Sequence, residues 1–165
     1  MLRQRLIDHY GEGCRLQAFE KAPGFGAHLF VVDVMRRTRP VRVLGSIDRK
    51  GMLVEQSAMD RLRPERLAFG YERLMLLAFA LVPAPTTALL LGLGGGAMSR
   101  HLAAYVPDCK LTVVERDPIV RRLARRFFHV KRPVVMADAE HVVAEARRQF
   151  DVVLVDLYDS RGATA

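Results

Sequence analysis

A glycine-rich turn occupies positions 89–96, where a short apolar run passes into a helical pattern. Gly92, Gly94 and Gly96 have no side chains, so the backbone can turn sharply there and lie directly against a bound molecule. The free N–H groups of the following helix would point at the same place. Because the turn joins a strand to a helix, it indicates a nucleotide- or nucleoside-binding loop more strongly than a tight structural turn.

An acidic residue ends the next apolar run. Glu115 lies 19 residues after Gly96, and at that spacing a carboxylate can accept hydrogen bonds from both ribose hydroxyls of a nucleoside. Asp117 and Pro118 follow it, and their types predict the N-cap and the first residue of a helix. We therefore expect Glu115 to bind ribose and Asp117 to have a structural role.

Two further runs also end on acids. Asp138 could read the adenine edge, through its carboxylate or through the N–H of Ala139, and it could equally cap the helix that follows. Asp156 and Asp159 follow the last apolar run. Two acids at this spacing can hold a cationic amine and remove its proton before the nitrogen attacks an electrophilic carbon. A solvated loop is the alternative for this pair.

The elements that must position these residues alternate between strand and helix. The predicted strands are 88–91, 111–114, 134–136 and 152–155, and the predicted helices are 96–106, 118–128 and 139–150. This alternation is typical of βαβ units with a parallel sheet, and the fold class is therefore α/β. Ligands bind beyond the carboxyl ends of such strands. We expect Gly92, Glu115, Asp138 and Asp156 to gather along that edge.

The N-terminal part has a different texture. The first 25 residues are punctuated by glycines and are expected to be irregular, whereas three strand-like runs at 28–34, 41–47 and 52–56 predict a small antiparallel β unit. A single amphipathic helix is predicted over 69–82, with Leu74, Leu77, Ala78 and Leu81 on its buried face. We place the N-terminal β unit at 1–62 and an incomplete nucleoside-binding domain of about four strands at 63–165.

The amino-acid composition limits the class of protein, its compartment and its partners. Half of the 165 residues are hydrophobic and the net charge is +8, so the chain can build a core. The two cysteines have no partner at metal-ligand spacing, so neither a metal nor a disulfide framework is expected.

The most hydrophobic run, 74–82, is too short to span a membrane, and a cytoplasmic protein is expected. The arginine run at 121–126 is interpreted as a solvated helix face, and nucleic acid is not the expected partner.

Taken together, these motifs resemble the spermidine synthase (polyamine aminopropyltransferase) family between positions 43 and 160. The order and spacing of the elements carry the resemblance: Gly51 and Gln56 in the β unit, Tyr71, the glycine-rich loop, 113–118, Asp138 and 151–156. The resemblance implies a β-stranded N-terminal unit ahead of a methyltransferase-like Rossmann sheet. It also implies that decarboxylated S-adenosylmethionine binds and that its aminopropyl group passes to a diamine.

The resemblance also implies a role for individual residues. Gln56 and Glu115 would contact the nucleoside, and Asp138 would lie at the adenine. Asp156 matches the catalytic base, and Asp159 and Tyr71 would face the diamine. A homodimer through the β unit would fit the family.

The sequence departs from the family pattern at the amine end of the site. Gly95 stands where the family's loop carries an aspartate, His101 replaces an acid, and Glu72–Arg73 replaces a His/Gln–Glu pair. The family's segment after the fourth strand is absent, so we expect a divergent and C-terminally truncated member.

Three alternatives stay open at this point. The chain could be a non-catalytic homologue that holds S-adenosylmethionine or methylthioadenosine. It could be a methyltransferase acting on an anionic substrate such as RNA. Finally, Gly92, Gly94 and Ala97 also fit a dinucleotide fingerprint, although no second mononucleotide half follows.

Overall fold

The computed structural model describes residues 2–23, 27–47, 50–147, 149–159 and 162–163, with the backbone alone at 159, 162 and 163. The chain begins with a helix, α1, and continues into a four-stranded antiparallel sheet whose strands follow the order of the sequence. Its elements are α1 (Leu2–Tyr10), β1 (Arg15–Ala22), β2 (Ala27–Arg36), β3 (Arg39–Ile47) and β4 (Leu53–Asp60). The predicted antiparallel unit is confirmed.

The prediction of an irregular N-terminus was wrong. Helix α1 buries Leu6 in an apolar cluster with Phe30 and Val32 of β2, and β1 pairs with β2 from Arg15 to Ala22, with a register shift between Leu16 and Ala18. Local propensity in this stretch is weak, and long-range strand pairing together with this burial determines its structure. Gly11 and Gly13, which suggested a loop, lie between α1 and β1, and Gly24 and Gly26 lie outside the described residues.

The single helix predicted over 69–82 is two short helices, α2 (Gly70–Met75) and α3 (Leu77–Leu81). The predicted buried face was also wrong, because Leu74, Leu77 and Leu81 are 67%, 58% and 82% exposed. The side chains that pack still follow helical spacing, so the apolar pattern indicated the helical period but not which face is buried. The side chains that pack against the core are Met75, Leu76, Ala78, Phe79 and Val82.

A four-stranded parallel sheet forms the second half, in the order β7-β6-β5-β8. Its elements are β5 (Thr87–Leu91), α4 (Ala97–Tyr105), β6 (Lys110–Glu115), α5 (Pro118–Phe127), β7 (Val135–Met136), α6 (Ala139–Ala144) and β8 (Val152–Val155). The predicted α/β class and the strand positions are confirmed, and α6 ends earlier than predicted. A short antiparallel pair, β9 (Tyr158–Asp159) and β10 (Gly162–Ala163), follows.

Local sequence explains several boundaries. The Asp117 carboxylate accepts hydrogen bonds from Ile119 N and Val120 N, and Pro118 takes the first helical position of α5, as predicted. At the opposite end of the sheet, the Asp151 carboxylate accepts hydrogen bonds from Thr86 N and Thr87 N, which connects the start of β8 to β5. These backbone hydrogen bonds hold the pKa of Asp151 below its usual value.

One apolar core lies between the two sheets. It joins Leu29 and Met59 of the antiparallel sheet to Leu90 of β5, Leu123 of α5 and Phe128. This packing brings β4 against the glycine-rich loop, and therefore brings Gln56 to the carboxyl edge of the parallel sheet. The boundary at 62/63 stays a prediction. Among the described residues, no helix is long and apolar enough to cross a bilayer.

Candidate functional site

A cavity of about 250 Å³ opens at the carboxyl ends of β5, β6 and β8. The predicted gathering of residues at this edge is present: Gly92, Glu115, Asp138 and Asp156 all line the cavity. The remaining lining residues are Gln56, Leu93, Gly94, Val114, Arg116, Val120, Ala137, Ala139, Glu140, Leu157 and Tyr158. Both apolar surface and convergent polar groups are present, which is typical of small-molecule sites.

The glycines of the loop serve different purposes. Gly92, Gly94 and Gly96 have φ values of 98°, 50° and 74°. A Cβ at Gly92 would lie 2.0 Å from the carbonyl oxygen of Asp156, and a Cβ at Gly96 would lie 2.2 Å from Val130 Cγ2. Packing within the protein therefore requires glycine at 92 and 96. Gly94 lines the cavity and a Cβ there would meet nothing closer than 3.7 Å.

Gly92→Ala is expected to lower the free energy of unfolding by about 2–4 kcal/mol, because the new methyl group meets the Asp156 backbone and the positive φ adds strain. Urea unfolding followed by circular dichroism measures this loss. Gly70→Ala is the control, since a Cβ there has no atom within 4 Å. It should be neutral or stabilise by up to about 1 kcal/mol. Equal stability of the two variants would contradict the close approach at Gly92.

The Glu115 carboxylate is buried, with 8% of the residue exposed. Its Oε2 accepts a hydrogen bond from Leu93 N at 3.1 Å, and its Oε1 accepts one from Asp117 N at 2.8 Å. Burial raises the pKa of Glu115, and these backbone hydrogen bonds oppose that shift. Each oxygen retains a further lone pair, which a ligand hydroxyl could use.

Gln56 brings an unpaired donor to the same cavity. The residue is 6% exposed, and its Nε2 is buried without a hydrogen-bond partner in the part of the chain that the structure describes. A buried donor of this kind is costly unless a water or ligand acceptor satisfies it. The sequence offered no local signal for this position, which only the family resemblance indicated.

Asp138 lies at the rim of the cavity. Its Oδ1 accepts a hydrogen bond from Glu140 N, so the predicted helix cap is present. Its Oδ2 lies 3.7 Å from Arg116 Nη1, and both side chains are about half exposed. Ala139 is buried beside them and also lines the cavity. Their contact with adenine stays a prediction.

Asp156, Tyr71 and Glu72 form an acidic cluster at the other end. The Tyr71 side chain interacts with the Asp156 carboxylate, and this interaction lowers the pKa of Asp156. Glu72 is only 2% exposed, and its Oε2 accepts a hydrogen bond from Phe69 N. Burial raises the pKa values of Asp156 and Glu72, and the charge of Asp156 raises that of Glu72 further. Tyr71 itself does not line the cavity.

The raised pKa values predict an unusual pH dependence of stability. The folded state holds protons on Glu72 and Asp156 more tightly than the unfolded state, so stability falls as the pH rises from about 4 through the folded pKa values. We expect the wild type to lose stability relative to Asp156→Asn over this range, by up to about 1.4 kcal/mol per pH unit. Urea unfolding at several pH values checks this. Glu140→Gln is the control, because Glu140 is exposed, and its stability profile should parallel that of the wild type. Parallel profiles for wild type and Asp156→Asn would contradict the burial of Asp156.

Arg100 is a residue that sequence reasoning missed. Its guanidinium donates hydrogen bonds to the carbonyl oxygens of Gly95, Phe128 and Pro64, and so fixes the loop. Burial lowers its pKa to about 10. A Cβ at Gly95 would lie 2.7 Å from Ser57 Oγ, so Ser57 packs where a side chain at 95 would begin. The sequence signal that could have indicated this role of Arg100 is its position in the helix that directly follows the glycine-rich loop.

The remaining predicted positions need only brief mention. The side chain of Asp159 lies outside the described residues. His101 is half-buried and its Nδ1 contacts Glu65 O at 2.9 Å, so it faces the protein rather than the cavity. Both cysteines are free. No group of three or more metal-ligating side chains is found among the described residues.

Comparisons with known proteins agree with the sequence resemblance, although no protein-family model matches the chain. A polyamine aminopropyltransferase of Vibrio vulnificus is 29% identical over 125 residues, which covers 72% of this chain and 42% of the relative. One from Neisseria meningitidis is 33% identical over 110 residues, covering 63% of this chain. An eEF1A lysine and N-terminal methyltransferase of Danio rerio is 34% identical over 88 residues, or 48% of this chain. The chain spans about two fifths of the length of the aminopropyltransferases.

Solved structures share the fold. A probable spermidine synthase of Corynebacterium glutamicum superposes with a TM-score of 0.64 at 22% identity, over 88% of this chain and 52% of that one. A spermidine synthase in complex with the transition-state analogue AdoDATO gives a TM-score of 0.52 at 20% identity, over 88% and 54%. Human methyltransferase-like protein 13 in complex with SAH superposes with a TM-score of 0.51 at 24% identity, over 56% of this chain and 49% of that one. The chain is therefore similar in sequence to polyamine aminopropyltransferases, and it shares the fold of spermidine synthases.

Proposed function

We propose that this chain binds an adenosyl ligand, either decarboxylated S-adenosylmethionine or methylthioadenosine, in the cavity at the edge of the parallel sheet. The observation that carries the proposal is the convergence of buried Glu115 and buried, unpaired Gln56 on one cavity. An acceptor pair and an orphaned donor fit the hydroxyl and ether oxygens of a ribose. The relatives' names support an adenosyl compound over other nucleosides.

The loop and the rim would complete the nucleoside site. Gly94 leaves room for close approach of the ligand to the backbone. Asp138 and the N–H of Ala139 would read the adenine edge, with Arg116 beside them. The ligand supplies an electrophilic carbon next to its sulfonium, and the protein holds and orients it.

The reaction we propose is the transfer of an aminopropyl group to an amine. Asp156 takes a proton from the ammonium group of the acceptor. The freed nitrogen attacks the carbon bonded to sulfur, so that a C–N bond forms, the C–S bond breaks and methylthioadenosine leaves. Burial of Asp156 raises its pKa, which makes the carboxylate a stronger base near neutral pH. Tyr71 orients this carboxylate, and Asp159 is proposed as the second amine-binding acid.

The amine end also motivates a second candidate function. Gly95 offers no carboxylate to a cationic arm, and Ser57 packs against its Cα. A homologue that binds an adenosyl ligand without transferring an aminopropyl group, or one that transfers a methyl group, fits this observation. A methyltransferase among the sequence relatives supports that reading.

Isothermal titration calorimetry separates these functions. We expect methylthioadenosine to bind, and decarboxylated S-adenosylmethionine to bind more tightly than S-adenosylmethionine if aminopropyl transfer is the reaction. The reverse order would favour methyl transfer or simple binding. No heat from any adenosyl compound would exclude the whole proposal, and binding of NAD instead would restore the dinucleotide alternative.

We also propose a cellular compartment and an oligomeric state for the protein. Two free cysteines fit a reducing compartment, and we propose that the protein works in the cytoplasm. A homodimer through the antiparallel sheet is proposed from the family alone. Sedimentation velocity measures the oligomeric state directly.

A further inference from the structure

The positive charge of the protein is concentrated in one short segment. Positions 116–132 hold seven lysine and arginine residues and one acid, Asp117. This segment therefore carries +6 of the net charge of +8. Asp117 is 5% exposed and caps α5, so it does not offset the charge at the surface. An arginine-rich composition alone would spread the charge along the chain.

Helix α5 presents most of this charge on one face. Arg122, Arg125 and Arg126 are exposed and Arg121 is half-buried. Among the described residues, the only ion pair on this face joins Arg122 to Glu20. We call these four arginines the basic face.

The spacing of the basic face is unfavourable for the helix itself. Arg121 precedes Arg125 by four residues, and Arg122 precedes Arg126 by four. Like charges at this spacing repel each other and destabilise a helix. The two arginines in the last turn gain from the helix dipole, whereas Arg121 and Arg122 lie closer to its positive end. A face selected only for solubility would alternate acids with the arginines.

The chain then runs into a groove that is also cationic. The groove has a volume of about 340 Å³, and Arg100, His129, Lys131 and Arg132 line it together with Ser99 and one acid, Glu65. Nη2 of Arg100 is buried and has no hydrogen-bond partner among the described residues. His129 has a φ of 57°, a conformation that is uncommon for a residue with a side chain. An anion in this groove would meet several donors.

We propose that the basic face and this groove bind the phosphate backbone of RNA. A row of exposed, mostly unpaired cations on one helix is the electrostatic footprint of nucleic-acid binding. The sequence pattern alone favoured a solvated helix face. The concentration of charge, the near absence of acidic partners and the adjoining groove change that interpretation. The proposal does not depend on the adenosyl ligand.

An anionic membrane is the less suitable partner. A helix that binds a membrane surface needs an apolar face free to enter the lipid. The apolar side of α5 is already used, because Val120, Leu123 and Ala124 are buried in the core. The arginines on the exposed side of α5 can contact phosphates without an apolar face that is free to enter lipid.

Fluorescence anisotropy with a labelled single-stranded RNA of about 20 nucleotides tests the proposal on the full chain. We expect the logarithm of the association constant to fall linearly with the logarithm of the salt concentration, by about 0.7 for each phosphate contacted. The triple variant Arg121→Gln, Arg125→Gln, Arg126→Gln should make this slope less negative by about 2, which lowers affinity about 100-fold at 0.1 M salt.

A matched variant separates the basic face from total charge. Arg3→Gln, Arg37→Gln and Lys110→Gln remove the same charge from exposed positions elsewhere, and this variant should keep the wild-type slope. Equal losses in both variants would show diffuse attraction and overturn the proposal, as would no binding of the wild type at 50 mM salt. Binding only to vesicles of phosphatidylserine and phosphatidylcholine would overturn it in favour of a membrane. Circular dichroism confirms that both variants are folded.

Discussion

Asp156→Asn is expected to lower the rate of aminopropyl transfer by about 10²–10⁴-fold, the usual contribution of a general base. The amide keeps the shape of the carboxylate, but it cannot take a proton from the attacking amine. Affinity for methylthioadenosine should change by only a few fold, since Gln56 and Glu115 are the residues proposed to hold the nucleoside. Formation of methylthioadenosine measured by chromatography gives the rate, and calorimetry gives the affinity.

Tyr71→Phe provides a second, graded test of the same site. The interaction with Tyr71 lowers the pKa of Asp156, so its removal should raise that pKa and shift the acidic limb of the pH–rate profile to higher pH. Asp138→Asn is the control, because this carboxylate lies at the opposite rim; it should change affinity more than rate. Full turnover in Asp156→Asn would remove Asp156 from the mechanism.

Sequence reasoning could predict those site residues whose positions follow from the local alternation of strands and helices. Each acid follows an apolar strand, and the parallel order of the strands brings their carboxyl ends together. Glu115 and Asp156 could therefore be placed on one edge without knowledge of packing. Asp117 and Pro118 were equally predictable, because a helix cap depends only on its immediate neighbours.

The rest depends on contacts between distant segments. Gln56 reaches the cavity only because β4 packs against the glycine loop across the shared core. Glu72 is only 2% exposed, and no spacing rule predicts the burial of a carboxylate at this position. Strand β1 has little strand propensity, and its pairing with β2 determines its conformation. Local pattern cannot report such contacts, whereas the family resemblance could indicate Gln56 because it draws on whole relatives.

The structure also revises what the glycines contribute. From sequence, Gly92 and Gly96 were predicted to bind the ligand. Their missing side chains make room for Asp156 and Val130 instead. The tight turn therefore matters indirectly, because it lets the end of β8 lie against the loop and so brings Asp156 to the cavity. Packing within the protein therefore explains Gly92 and Gly96, and contact of the loop with a ligand stays a prediction.

Glu115→Gln is expected to have the second large effect, a loss of about 10–100-fold in affinity for methylthioadenosine. A hydrogen bond to a charged group contributes about 1.5–3 kcal/mol, and the neutral amide would lose this charge assistance toward the ribose hydroxyls. The same change should lower the free energy of unfolding by about 1–3 kcal/mol. Both carboxylate oxygens accept backbone N–H groups, and the amide NH₂ would face one of them donor to donor.

Glu140→Gln is the matched control for this loss, because Glu140 lines the same cavity but is exposed and not held by two backbone donors. Calorimetry should give it nearly wild-type affinity, and urea unfolding nearly wild-type stability. The two readouts also test different claims. A Glu115→Gln protein that is destabilised yet binds normally would confirm the backbone contacts and contradict the ribose contact, because only the latter requires a ligand. A protein that keeps both properties would show that Glu115 neither fixes the loop nor binds the nucleoside.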